Sequence, residues 1–299
     1  MAATALVLTP GRVWWSAVRP ATLAASVAPV LAATAIAVHE GGARFEAGLL
    51  ALVVGVAMQL GVNFANDYSD HARGADTPMR IGPVRAASSG VVAPLHVRWA
   101  AMAAFGVAGL AGVVLSLATD WRLVIVGAAC LLAGWLYTGG PRPYGYLGLG
   151  ELFVFVFFGL VATLGTVYVE TLHISALAVL IACAMGSLAT AILVLNNLRD
   201  MDTDAAAGKL TLATRIGREQ TRVLLLGLVC VAFAMPIFAL VFKLAPAMVM
   251  LVLLAIPMAA VPVRTAFTTT SGPGLVKALK SMAGAQLAFA LLLVLGLLA

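Results

Sequence analysis

The chain has 299 residues, 63% of them hydrophobic and 10% charged, with a mean hydropathy of +1.06 and a formal net charge of +6. Soluble domains carry about 25% charged residues, and a water-soluble globule of this length could not hide so much apolar surface, so the bilayer is the solvent of this protein. Its 18 Lys and Arg residues are dispersed among apolar segments, which excludes the continuous basic surface that nucleic acid requires and leaves membrane topology as their explanation.

In chain order, Arg12, Trp14, Trp15 and Arg19 read as an amphipathic, interfacial lead-in. The apolar run from Ala21 to Val38 follows, and about 20 residues suffice to span, so it reads as a retained first helix and not a cleaved leader. Apolar segments recur at 20–38, 46–65, 97–119, 121–138, 151–169, 175–196, 222–243, 245–263 and 278–298. The expectation is an all-α, polytopic membrane bundle of about nine transmembrane helices, with residues 1–299 forming a single integral-membrane domain. The breaks at Asp120 and at Lys243 to Pro246 are very short and predict antiparallel hairpins. Cys130, Cys183 and Cys230 lie inside apolar stretches without a CxxC or a His partner, so neither a disulfide framework nor a zinc site is expected.

Charge orients the chain. If the N-terminus is cytoplasmic, 15 of the 18 basic residues fall on that side, and only Arg44, Arg122 and Lys243 on the other. That split fits the positive-inside rule for nine spans and predicts a multi-pass protein of the cell membrane with a cytoplasmic N-terminus. Two polar stretches, Asn66 to Arg98 and Asn196 to Arg222, follow the second and sixth spans on the same side. Their offset of four helices suggests two four-helix halves plus a ninth helix.

The first stretch carries Asn63, Asn66, Asp67, Tyr68, Asp70, Arg73 and Asp76. The second carries Asn196, Asn197, Arg199, Asp200, Asp202, Asp204 and Lys209. Together they hold six of the twelve acidic residues. An Asp at a helix centre costs roughly 2.5–3.5 kcal/mol on insertion scales, and six would cost on the order of 15–20 kcal/mol, so they belong at helix ends or around a polar cavity. Asn66 and Asp70 are four residues apart, as are Asp200 and Asp204, and each pair shares a face if its helix continues. Such oxygen clusters suit a hard cation, and Mg²⁺ in particular is held by a few carboxylates plus substrate phosphates. Arg73, Arg85, Arg199, Lys209 and Arg215 are placed to take phosphate oxygens.

The competing readings are weaker. Capping Asp residues paired with Arg would explain any one acid, but less readily two clusters on one face of a nearly charge-free chain. A calcium loop from Asp200 fails because Ala205 stands at the glycine position and Thr211 at the glutamate position. There is no GxxxxGK[ST] phosphate loop. A cation-coupled transporter would place its ionisable groups near the midplane, not at one face among arginines and lysines. His71 reads as a solvated loop residue, and Tyr137 to Tyr144 as a short turn whose aromatics suit the interface.

These motifs resemble the UbiA superfamily of membrane-embedded prenyltransferases. Asn66-Asp67-Tyr68-x-Asp70 followed by Gly74-x-Asp76 is similar to the branch that uses 1,4-dihydroxy-2-naphthoate in menaquinone biosynthesis. Asn196-Asn197-Leu-Arg199-Asp200-x-x-x-Asp204 continues into Gly208-Lys209 and Arg215-x-Gly217. Tyr137-Thr-Gly-Gly-Pro141, Gly150-Glu151 and Arg19-Pro20-x-Thr22-Leu23 complete the match. The resemblance implies Mg²⁺ bound by Asn66, Asp70, Asp76, Asp200 and Asp204, with Asp67, Asp70, Asp200 and Asp204 as the catalytic acids. It implies Arg73, Arg85, Lys209 and Arg215 as contacts for the donor, a polyprenyl diphosphate. Asn63, Tyr68 and Tyr137 are the candidates for contacting the aromatic acceptor, with Asp67 also placed to orient it. The implied reaction prenylates 1,4-dihydroxy-2-naphthoate with loss of diphosphate and CO₂ to give demethylmenaquinone. Other acceptors within the family would be 4-hydroxybenzoate or homogentisate.

Overall fold

A computed structural model describes residues 8–74 and 82–299, so Asp76 lies outside the described residues. Every described regular element is helical. A short helix, α1 (Pro10–Val18), meets α2 (Pro20–His39) at Arg19, whose backbone is left-handed at φ 53°. Pro20 cannot donate into the α1 ladder, so the chain must start a new helix there. Helix α1 buries Val13 and Ala17, leaves Trp15 67% exposed and sets Trp14 edge-on to Phe64, as an interfacial helix should.

The remaining helices are α3 (Phe45–Ala72), α4 (Pro94–Ala118), α5 (Leu123–Leu136), α6 (Gly150–Thr171), α7 (Ala176–Ala206), α8 (Leu212–Val241), α9 (Ala247–Thr268) and α10 (Gly272–Leu298). Among the described residues eight are long and apolar enough to cross a bilayer, α5 being the exception at 14 residues. At 1.5 Å per residue α5 is about 21 Å long. It still runs from one end to the other, because Leu123 packs against Leu115 and Ala47 at one end and Tyr137 meets the polar loops at the other. The chain is therefore a multi-pass membrane protein, and the expected nine crossings are present among the described residues.

Several boundaries differ from the apolar runs. Helix α3 continues to Ala72 and α7 to Ala206, seven and ten residues past the predicted ends, and α8 begins at Leu212 instead of near 222. Hydropathy ends a helix where polar residues begin, but here those residues turn into a polar interior and satisfy one another, so the helix persists. Asn66 and Asp70, and likewise Asp200 and Asp204, thus do share helical faces.

Helix α3 packs most extensively on α4, and α7 on α8, the equivalent hairpins of the two four-helix halves, with α10 closing against α2 and α9. The dense core gathers around α7, from Ile181 and Met185 to Leu195 and Leu198, and includes Ile36 of α2 and Phe289 of α10. Helix α6 reaches α7 backbone to backbone: a Cβ on Gly159 would stand 2.2 Å from the Gly186 Cα. Small residues permit this approach in a membrane, and α6 widens into a π-turn at Phe155–Val161 where it occurs. On the other side, α3, α4, α5 and α6 leave a cavity between them.

Candidate active site

The cavity has a volume of about 520 Å³. Its polar end is walled by Asn66 and Asp70 on α3, Asp200 and Asp204 on α7, and by Arg85 and Lys209 from the intervening loops. From there it runs along α5 between Met58, Leu131, Phe157 and Val161 to Leu123 and Val169 near the far end. One end is therefore rich in oxygen and cationic groups, and the rest is a hydrocarbon-like groove.

Asp70 is the hub of the polar end. It is 2% exposed, and its Oδ2 accepts from the Arg85 guanidinium at 2.8 Å. Its Oδ1 accepts from Lys209 Nζ at 2.8 Å and from the Tyr146 hydroxyl at 2.6 Å. Backbone links explain how these distant residues arrive together. Leu210 N–H donates to the Tyr146 carbonyl at 3.1 Å, which ties the Lys209 turn to the Tyr146 turn, and Lys209 Nζ sits 4.8 Å from the Tyr146 ring centroid. Burial, and then the charge of Asp70, push the Tyr146 hydroxyl well above the usual phenol range, so it keeps its proton and acts as a donor.

Asp200 is organised differently. It is 7% exposed, and Arg199, its sequence neighbour, grips it with Nε to Oδ1 at 2.7 Å and Nη2 to Oδ2 at 2.5 Å. The same Nη2 donates to Asn196 Oδ1 at 2.8 Å. Asp204, one turn on, is half-buried on the same wall.

Several residues expected at the site are placed behind it. Both oxygens of Asp67 accept backbone N–H groups, Ala86 at 2.8 Å and Ala87 at 3.1 Å, so Asp67 anchors the loop that delivers Arg85 and does not wall the cavity. Arg73 donates to the Thr138 carbonyl at 2.9 Å and to the Gly140 carbonyl, fastening the end of α3 to the α5–α6 loop. Arg215 donates to the Leu210 carbonyl at 3.0 Å and lies over Gly148, where a Cβ would stand 2.9 Å from its Nε. Tyr68 faces the α1–α3–α4 cluster, with Arg98 over its ring at 5.9 Å. Asn63 does reach the cavity, but its amide donates to the Val18 carbonyl and Thr22 hydroxyl and accepts from Gln59. Tyr137 lines the cavity beside Tyr144. Exposed Asp202 pairs with Arg218 at 3.3 Å, and His71, expected in a loop, lies exposed in the last turn of α3 beside Ser88.

The sequence motifs include Thr138, Glu151 and Asn197 but give them no role and no pairing, and Tyr146 stands outside the motifs. Thr138 donates to Asn66 Oδ1 at 2.7 Å. Tyr146 is 76 residues from Asp70 in sequence, and no local spacing signals that pairing.

Among the described residues no three His, Cys, Asp or Glu side chains converge into a ready metal cage. The cavity offers two carboxylates of α7, one of α3 and the Asn66 amide, all oxygen donors. Oxygen ligands from two walls, too few to enclose an ion, fit Mg²⁺ completed by substrate phosphates.

Comparison with known proteins agrees with this geometry. Residues 26–283 match the UbiA prenyltransferase family, and the chain belongs to that family. A Mycobacterium tuberculosis protein named 1,4-dihydroxy-2-naphthoate octaprenyltransferase is 45% identical over 281 residues, covering 93% of this chain and 94% of the relative. The apo structure of a UbiA homolog from Aeropyrum pernix superposes with a TM-score of 0.66 at 14% identity, over 96% of this chain and 98% of that one. A UbiA homolog from Archaeoglobus fulgidus, bound to DMAPP and Mg²⁺, does so with a TM-score of 0.60 at 14% identity, over 94% and 99%.

Proposed function

We propose that this protein transfers a polyprenyl group from polyprenyl diphosphate to 1,4-dihydroxy-2-naphthoate, releasing diphosphate and CO₂ to give demethylmenaquinone in its quinol form. The observation that carries this reading is a single cavity with carboxylates and cations at one end and, behind them, an apolar groove that follows α5, a helix about 21 Å long. A diphosphate with a long hydrocarbon tail has that shape and polarity. The acceptor is supported by end-to-end likeness to the mycobacterial octaprenyltransferase.

Asn66, Asp70, Asp200 and Asp204 are the residues that would hold Mg²⁺, which supplies positive charge against the diphosphate as the allylic carbon–oxygen bond breaks. Lys209 and Arg85 bind the non-bridging oxygens, adding fixed charge where negative charge develops on the leaving group. Tyr146 holds its proton at the phenolic oxygen and orients Asp70. The α5–α6 groove takes the prenyl chain and keeps water from the allylic carbon, so the naphthoate ring captures it. The new bond forms at a ring carbon, the ring carboxylate departs as CO₂, and diphosphate carries away the bonding pair of the broken bond. The distribution of 15 basic residues against 3 supports a cell-membrane orientation with the N-terminus and this site on the cytoplasmic side. Acids gathered at one end among cations favour phosphate binding over ion transport.

The test is an acceptor panel. Membranes containing the protein are given labelled donor with 1,4-dihydroxy-2-naphthoate, 4-hydroxybenzoate or homogentisate, and products are identified by mass spectrometry. The naphthoate should be the preferred substrate, with CO₂ released in equal amount. Faster turnover of 4-hydroxybenzoate would overturn the assignment.

A further inference from the structure

Glu151 is a buried acid that the diphosphate chemistry leaves unused. It opens α6, is 6% exposed, and its Oε2 has no hydrogen-bond partner among the described residues. Its Oε1 accepts from Asn197 Nδ2 at 2.9 Å. Asn197 lines the cavity and Glu151 stands behind it. Asn197 turns its amide nitrogen to Glu151 Oε1, so its Oδ1 points away from Glu151. The pair is held rigidly, because α6 and α7 touch backbone to backbone at Gly159 and Gly186. Tyr137 borders the same part of the cavity, its hydroxyl 3.6 Å from where a Cβ on Gly150 would stand.

A carbonyl oxygen fixed on a cavity wall needs a donor. Diphosphate offers acceptors and a prenyl chain offers neither, so the donor substrate cannot use it. A phenolic hydroxyl can. We propose that Glu151 is a positioning residue that locks the Asn197 amide so that its oxygen accepts a hydroxyl of the aromatic acceptor, making the pair a hydroxyl-recognition element. The inference rests on the aromatic prenyltransferase reading above.

The experiment uses the full-length protein in detergent, with Glu151→Gln and Asn197→Ala variants. Glu151→Gln keeps the shape but lets the amide face either way. Unreactive competitors are compared through their inhibition constants: a dihydroxylated naphthoate analogue and the two analogues each lacking one hydroxyl. The native protein should favour the dihydroxylated competitor over one of these by about tenfold, the cost of leaving a buried acceptor unpaired. In both variants that preference should fall to within about twofold, with donor KM and Mg²⁺ half-saturation unchanged. A preference retained in Glu151→Gln overturns the inference, as does a shift in Mg²⁺ half-saturation, which would make Asn197 a metal contact. Should the native protein use a different phenol, the acceptor assignment falls, and the same comparison with that phenol and its deoxy analogue still decides the role of Glu151. If Asn197→Ala fails to fold, the nearly isosteric Glu151→Gln variant decides the question by itself.

Discussion

Asp70 and Asp200 face the same cavity, yet they are held in opposite ways. Asp200 is gripped by its immediate neighbour Arg199, with Asn196 one turn back, so its setting travels with a single stretch of α7. Asp70 collects Arg85, Tyr146 and Lys209 from three separate loops, and those loops are themselves pinned by Asp67, Arg73 and Arg215. One wall is thus local and self-contained, whereas the other exists only when the whole bundle has closed. Removing a partner from a buried ion pair costs about 3–5 kcal/mol because the remaining charge is stranded, so the assembled wall should be the more fragile.

That contrast can be broken directly. Asp70→Ala should lower turnover by roughly 10³-fold, the scale of removing a principal electrostatic contact, and should also depress the thermal midpoint. Asp200→Ala should be as inactive but closer to native in stability, since it strands only Arg199. Equal midpoints for the two variants would show that the walls do not differ, and near-native turnover in either would remove the metal-bridge reading. EDTA should abolish product formation in purified protein and added Mg²⁺ restore it; persistent activity after chelation would contradict the oxygen-ligand assignment. Lys209→Ala loses a charge-assisted contact, about 10-fold or more in donor KM, with acceptor KM little changed. The smallest effect belongs to Tyr146→Phe, a few-fold in turnover for one hydrogen bond of about 1 kcal/mol; a complete loss there would give the phenol a direct chemical role.

The two sides of the bundle also differ in packing. Around α7 the side chains interlock and glycines let backbones touch, while α4 and α5 turn Leu110, Leu117 and Ile125 outward and leave the groove behind them. The more closely packed half holds one set of acids while the thinner half borders the apolar groove, an arrangement that suits fixing charge while admitting a lipid-like chain.

Much was legible in the sequence. Nine crossings follow from apolar run length, and the grouping of both Asp stretches at one end follows from their spacing by an even number of spans. The four-residue spacing of Asn66 with Asp70 and of Asp200 with Asp204 foretold shared faces, because helical periodicity is a local property. What spacing could not reveal was which polar residues serve the cavity and which serve the scaffold. Asp67 is three residues from Asp70, yet it caps the backbone at Ala86 and Ala87 and faces away. Arg73 and Arg215 have the chemistry of phosphate ligands, yet the hydrogen bonds they make here go to carbonyl oxygens, while Tyr146 and Glu151, to which no spacing gives a role, stand at or behind the cavity wall. Composition and periodicity determined the solvent, the number of helices and the end at which charge collects, since each depends only on neighbours along the chain. The assignment of each polar side chain to cavity or scaffold was decided by tertiary structure alone, because a buried donor or acceptor takes the partner that packing brings within about 3 Å, and that partner is here often more than 70 residues away.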